Sequence, residues 1–504
     1  MIENAPALIV ILPLIAAPVN LIIGLWRKDL CYLFTVATLS ACVLLSVDVL
    51  VTVISNGVIT YKLGGWAPPW GIAYLIDHLN AFMLIIVSFI SLVVSVYSKK
   101  SIEKELPDKV VHFYTVFLLL VSGLLGILIT GDVFNLYVFL EIASIAGYAL
   151  IAIGDDRAPL ASFNYVIMGT IGACFYLLGV GYLYISTGSL NMADLSELLP
   201  EIYNSRVVIG AFAFLMVGVA IKMAFFPLHK WLPDAYTHAP SAVSAFVAST
   251  MTKVGAYVMI RIMFTVFKPY FSIELIPASA ILGWLAVAAM LFGCIRAIAQ
   301  SDVKRMLSYI IIAEVGYIVM GLSVGNRMGF TGAVLHILND AVMMSCLFLS
   351  AGSIEYKTGT RSVHNFAQLY KKMPLTMAAF TIGGLSIVGI PPTCGFFSKW
   401  YLVLGALESQ QWVFAATLLI SSLLTAVIFF KILVRIYFGD SSENESLPAG
   451  RQARPLESST PVFDEAPLSM LLPTGIMAIG VLTLGFFSGK IISNVIQFTV
   501  PGGF

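Results

Sequence analysis

Glu141, Lys222, Lys253, Glu314, His336, Asp340 and Lys399 all stand inside stretches that are otherwise apolar. At bilayer depth a lysine costs ~2.5–3.5 kcal/mol even on a lenient insertion scale, so three of them require partners or a water-filled path. Carboxylates, imidazole and amines all exchange protons, and each holds or releases its proton according to the charges beside it. Glu141, in FNLYVFLEIASIAGYAL, would stay protonated unless a cation lies near it; a neutral, hydrogen-bonded acid is the plain structural alternative. Lys253 and Lys399 could instead snorkel. His336 and Asp340, in AVLHILNDAVMM, lie one turn apart on the same helical face. They could form a relay or a satisfied buried hydrogen bond, and Glu314 is equally open. His229 and His238 follow in the polar connection after Lys222, where gating and a plain interfacial role are both open.

The elements that must carry these groups are membrane helices. Taking ~20 apolar residues per span, fourteen segments emerge between residues 5 and 496. Two are interrupted. The seventh, VVIGAFAFLMVGVAI, runs into Lys222 and Pro227 and then the turn LHKWLPDAYTHAPS; the twelfth contains Pro391 and Pro392 with Lys399 just beyond. Proline removes a backbone donor and clashes with the preceding turn, so neither segment can stay one regular helix. Broken helices at membrane depth are tolerated where they line a cavity. The two breaks lie five helices apart, which predicts two five-helix repeats, helices 4–8 and 9–13, inverted because the number of spans is odd. Glu141 and Glu314 fall on corresponding second helices.

The fold class expected is therefore all-α: a polytopic membrane protein of about 14 helices, with two inverted five-helix repeats and broken helices 7 and 12. The expected organisation is an N-terminal three-helix segment at 1–110, repeats at 111–267 and 268–438, a polar, low-complexity loop at 439–467 and a last helix at 468–504. GGWAPPWG, Trp66 to Trp70 within it, is expected to be an interfacial loop with aromatic anchors. Asp132 and Asp302 sit at helix starts, where N-capping explains them.

Composition closes off other classes. With 59% hydrophobic and 11% charged residues the chain is no soluble globule. A net charge of +1 gives no case for nucleic acid. The six cysteines are scattered singly without CxxC spacing, which points to small core residues and gives no metal site. The first segment lacks a basic leading region and is too long for a cleaved signal, so it is expected to remain as a helix. Lysine and arginine crowd one side, including Lys99, Lys104, Lys109, Arg157, Lys304, Arg305, Lys357 and Arg361. That side is expected to be cytoplasmic, with both termini outside.

KMAFFPLHKWLPDAYTHAPSAVSAFVASTMTKVGAYVMIR resembles the central signature of the antiporter-like membrane subunits of respiratory complex I. GDVFNLYVFLE and TGSLNMADLSELLP are closer to the D subunit of Mrp-type multisubunit Na⁺/H⁺ antiporters, and membrane-bound hydrogenases contain a relative. The resemblance implies that Glu141 is the essential glutamate of helix five, and that Lys222, Lys253 and Lys399 are the lysines of helices seven, eight and twelve. It implies proton translocation within a larger membrane complex embedded in a prokaryotic bilayer, with Na⁺ as a further candidate ion and no cofactor or redox centre in this chain. On this view Glu141 keeps Lys222 charged. Drawing Glu141 away lets the proton move on to Lys253, then by way of His336 to Lys399. The sequence departs from its relatives at Asn339, Met344 and Glu314, so His336 is expected to bridge the halves. Two other classes compete. A bis-histidine haem protein needs two facing deep histidines, and only His336 is deep. A self-sufficient carrier of a small solute would use the same fold, but buried charges of alternating sign suit protons better.

Overall fold

The computed structural model describes residues 4–439 and 463–504, so the 440–462 part of the expected polar loop lies outside the described residues. Long apolar helices dominate: α1 (Ala5–Trp26), α2 (Lys28–Asn56), α3 (His78–Glu105), α4 (Val110–Ile129), α5 (Val133–Ala152) and α6 (Ala158–Thr187). The seventh element is split into α7a (Arg206–Lys222) and α7b (Leu232–His238). Then come α8 (Ser241–Ile260), α9 (Ala278–Ile298), α10 (Val303–Ser323) and α11 (Arg327–Thr358). The twelfth is also split, into α12a (Pro374–Val388) and α12b (Cys394–Glu408), and is followed by α13 (Trp412–Phe438) and α14 (Leu468–Asn494). Among the described residues twelve helices, α8 counted with its continuation to Val266, are long and apolar enough to cross a membrane; the two split ones bring the number to the fourteen expected from sequence. The protein is a nearly all-helical, multi-pass membrane protein.

Both interruptions fall where proline predicts them, and each has its own local solution. At the first, residues 223–231 leave the helix and Ala224 adopts a left-handed φ of 55°. That conformation costs a non-glycine residue roughly 1–2 kcal/mol. The carbonyl of Ile221 accepts from the Ala224 N–H and from Trp231 Nε1, each at 3.1 Å, and the Trp231 ring stacks on Tyr165 at 3.9 Å. At the second, Gly389 takes φ 92° and closes α12a without strain, its N–H returning to the Leu385 and Ser386 carbonyls.

The connection after α2 is more ordered than a loop. Ile59–Lys62 (β1) and Ala73–Ile76 (β2) form an antiparallel ribbon in the register Ile59 opposite Ile76, with Trp66 and Trp70 exposed at its tip. The ribbon leads into Asp77, whose carboxylate caps α3 and is clamped by both terminal nitrogens of Arg261 at 2.6 and 2.7 Å. Arg261 begins a wider π turn, Arg261–Val266, where regular α-helix was expected to run on. α8, α10 and α11 are surrounded on all sides, whereas α1, α6 and α14 keep apolar faces outward. The three enclosed helices carry Lys253, Glu314, His336 and Asp340.

Candidate functional site

Lys222 is the last residue of α7a, so its ammonium sits at the negative end of that half-helix. Nζ donates to Glu141 Oε1 at 2.8 Å and to Ser144 Oγ at 2.7 Å. Glu141 and Ser144 are three residues apart on α5 and so share a face. The pair is unequally enclosed, with Lys222 side chain 7% exposed and Glu141 26% exposed.

Lys253, in the middle of α8, meets Asp340 of α11 at 2.6 Å, and both side chains are fully buried. Its ammonium also donates to the Ala248 carbonyl at 2.8 Å. Beyond it His336 Nε2 faces Glu314 Oε2 of α10 at 2.9 Å, again fully buried. The ring's other nitrogen, Nδ1, lies 2.9 Å from Ser398 Oγ on α12b. In both carboxylate contacts the atoms are close but off the axis of a regular hydrogen bond. This corrects the partnership expected from sequence. Asp340 and His336 share a face of α11, but α8 and α10 pack on that face from different sides, and each takes one of the two groups.

Lys399 follows the second break and closes the series. Nζ donates to the Ile387 carbonyl at 2.5 Å, at the C-terminal end of α12a, and to Ser422 Oγ at 3.3 Å. It lies over the Tyr317 ring, 4.6 Å from the centroid. Tyr317 stands edge-on to His336 at 5.5 Å and shares a hydrogen bond with Ser421 at 2.6 Å. Among the described residues no carboxylate comes within ion-pair distance of Lys399. Lys222 precedes its break and Lys399 follows the other, yet both meet the C-terminal end of a half-helix, whose dipole favours a cation.

The structure thus pairs six of the eight candidate residues, Glu141 with Lys222, Lys253 with Asp340 and His336 with Glu314, and sets a seventh, Lys399, over the Tyr317 ring that meets His336. His229 stands apart in the turn between α7a and α7b, buried between Phe226 and Phe292 with its Nδ1 unpartnered among the described residues. Asp132 and Asp302 cap α5 and α10 as expected. Sequence reasoning missed Ser144, Ser398 and Tyr317. Ser144 and Tyr317 could have been found one turn beyond Glu141 and Glu314, and Ser398 beside Lys399. Lys304, counted among the charges of the basic side, is instead buried on α10 against Glu355 at 2.6 Å. A lysine in the first turn of a helix looks like a loop charge unless the covering neighbours are known.

Residues 130–425 match the family described as NADH:quinone oxidoreductase/Mrp antiporter, TM, a span that includes every group of the series. The chain belongs to this family. Among its relatives, the NADH-quinone oxidoreductase N subunit of Desulforudis audaxviator is 48% identical, with 99% of each chain covered. The Na(+)/H(+) antiporter D subunit of Bacillus subtilis is 31% identical, with 92% of each covered. Its counterpart of the same name in Alkalihalophilus pseudofirmus is 35% identical over 80% of each. Family likeness extends to solved structures. A chain of the Mrp complex from Dietzia sp. DQ12-45-1b superposes with a TM-score of 0.87 at 25% identity, covering 99% of this chain and 97% of that one. A chain of an archaeal membrane-bound sulfane sulfur reductase does so with a TM-score of 0.87 at 30% identity, covering 98% and 96%.

Proposed function

We propose that the chain is the proton-translocating membrane subunit of a multisubunit cation/proton antiporter of the Mrp type. The observation that carries this reading is the set of three intramembrane acid–base pairs, Glu141–Lys222, Lys253–Asp340 and His336–Glu314, with the buried Lys399 beyond them. The antiporter relatives and the fold shared with the Mrp complex support it. In this reading Glu141 holds the Lys222 ammonium. When Glu141 is drawn off, a lone ammonium in apolar surroundings hands its proton on to Lys253 once that amine is free. Asp340 steadies Lys253 and Glu314 steadies His336, so a proton arriving at each finds a counter-charge. His336 Nδ1 and Ser398 then lead toward Lys399. Helices 4–8 and 9–13 act as the two half-channel units at 111–267 and 268–438. The partners are other membrane subunits, and the ions are protons, with Na⁺ exchanged by the assembly.

A second reading rests on the 48% identity to the N subunit of an NADH-quinone oxidoreductase across nearly the whole of both chains. There the same series would be driven by a redox module held in other subunits. The deciding experiment takes the parent complex in vesicles and compares Na⁺-driven with electron-donor-driven proton movement. A Glu141→Ala form should abolish whichever flux the wild type shows; full flux in that form would sink both readings. We place the lysine- and arginine-rich side in the cytoplasm of a prokaryotic cell and both termini outside. Labelling of single cysteines at the two ends of the chain by an impermeant reagent in intact cells tests this, and protection of either end would reverse it.

A further inference from the structure

Lys253, Asp340, His336 and Glu314 lie sealed among α8, α10 and α11, which leaves open how a proton comes to Lys253. A cavity of about 1040 Å³ opens on the basic side, lined in part by Lys104, Glu105, Ser301, Lys304, Glu355 and Arg361. At its floor Lys304 Nζ meets Glu355 at 2.6 Å and Ser241 Oγ at 3.0 Å, with Lys304 side chain 2% exposed and Glu355 29% exposed. Glu355 is therefore the group of this cluster that faces water. Ser241 is the first residue of α8, and its hydroxyl also reaches Glu355 at 3.2 Å.

From this point α8 and α11 run antiparallel in a fixed register. A Cβ on Gly352 would lie 2.9 Å from Ser241 Cβ, Ser249 and Ser345 share a hydrogen bond of 2.7 Å, and Lys253 meets Asp340 at 2.6 Å. Polar groups therefore face each other along a seam from Ser241 to Lys253, which is twelve residues or ~18 Å of helix. Between the first two levels α3 inserts the Tyr97 hydroxyl, which donates to the Leu349 carbonyl at 3.2 Å. It occupies the space a side chain at Gly352 would need, since a Cβ there would stand 2.5 Å from the Tyr97 oxygen. The neighbouring Ser353 hydroxyl is buried on the same turn of α11, beside the Tyr97 hydroxyl.

We propose that protons reach Lys253 from the basic side along the α8–α11 seam, with Lys304, Glu355 and Ser241 at its mouth and Tyr97, Ser345 and Ser249 as its steps. This rests on the reading of the chain as a proton translocator. Glu355, paired with Lys304 and Arg361, stays a carboxylate and draws a hydrated proton from the cavity, which passes to the Ser241 hydroxyl. Each hydroxyl then accepts one proton on its oxygen and gives up its own, and the Lys253 amine takes the last after passing its previous proton toward His336. One proton enters and one leaves, with no group changed. The longest interval, from Ser241 to Ser249, is eight residues or ~12 Å of helix, divided by the Tyr97 hydroxyl and closed by bridging waters, and that from Ser249 to Lys253 is four residues or ~6 Å. Lys304 acts as a positioning residue that holds Glu355 at the mouth.

The test uses the parent complex in membrane vesicles, with flux followed by a pH-sensitive dye and normalised to assembled subunit. Tyr97→Phe removes only a hydroxyl and Ser249→Val fills the seam with methyl groups. Each should slow flux about tenfold, equivalent to ~1.4 kcal/mol on the barrier, while Ser249→Thr, which keeps the hydroxyl, should restore most of it. Should Ser249→Val fail to assemble, Tyr97→Phe decides. Unchanged normalised flux in Tyr97→Phe overturns the seam. Lys253→Ala, run in parallel, separates the two levels of argument: loss of flux there with normal flux in Tyr97→Phe defeats only the route, and normal flux in Lys253→Ala defeats the translocator reading itself.

Discussion

Lys253 and Asp340 illustrate how much of a buried pair's energy is defensive. Removing one member of such a pair costs about 3–5 kcal/mol because the other charge is left uncompensated, whereas replacing both by apolar groups is often neutral. Asp340→Leu should therefore lower the amount of assembled protein, and Lys253→Met combined with Asp340→Leu should bring it back without restoring flux. Recovery of flux in the double form would show that the series does not run through this pair. His336 and Glu314 make a second, different prediction. Because they face each other at 2.9 Å, His336→Ala and Glu314→Gln interrupt one step between them. Each should cost about 10²-fold or more in normalised flux, the scale of a lost acid–base group, and the double form should be little slower than either alone. Fully multiplicative losses would place the two groups on separate steps. Spacing within α11 could show that His336 and Asp340 share a face, but not which neighbouring helix each would meet. Partner choice is set by packing between helices distant in sequence, and periodicity within one helix is silent about it.

At the scale of elements the breaks were legible because proline and lysine fall together there. Pro227 and the Pro391–Pro392 pair fall at the two breaks, whereas Pro13, Pro18 and Pro473 stay inside continuous helices, so it was the lysines beside the first two that marked broken ends as candidate sites. The ribbon at Ile59–Ile76 was hidden, since its two four-residue strands flank a run of Trp, Pro and Gly that carries no alternation. The π turn after Ile260 was hidden too, as one extra residue per turn leaves no mark on an apolar stretch. What holds α12b in place is also a matter of contact. Gly395 lies against the end of α12a, where a Cβ would overlap the Ser386 carbonyl oxygen and stand 2.9 Å from Met343 Sδ. Gly395→Ala should thus destabilise the protein by about 1–3 kcal/mol through overpacking. Gly475→Ala on α14 has nothing within 4 Å of the new carbon and should leave stability equal or slightly raised. Melting of the two purified variants compares them directly, and equal melting temperatures would mean that α12b is free to shift.

For the molecule as a whole, the informative surface is the outer flank of α5. Phe134, Val138 and Ile145 are exposed there, and Glu141 emerges among them with about a quarter of its side chain uncovered, 26%. A carboxylate in contact with hydrocarbon is costly, and intramembrane ionisable groups face protein or a water-filled cavity. Lys222 offsets part of the charge from the inner side, but the outer side of the carboxylate has no cover among the described residues. A neighbouring subunit laid over α5 would supply that cover and, by moving, would be the agent that draws Glu141 away from Lys222. Ile145 is 62% exposed one turn beyond Glu141, so it reports on whatever lies against this flank without belonging to the charge series. A photo-crosslinking residue at position 145 should yield an adduct with another membrane subunit of the parent complex. The same residue at position 44, where Leu44 is exposed on α2, provides the comparison for a second outward apolar face. Adducts to lipid alone at position 145, in a complex shown to be intact, would mean that Glu141 is shielded by water in a groove, and the trigger for its movement would then have to come from inside the chain.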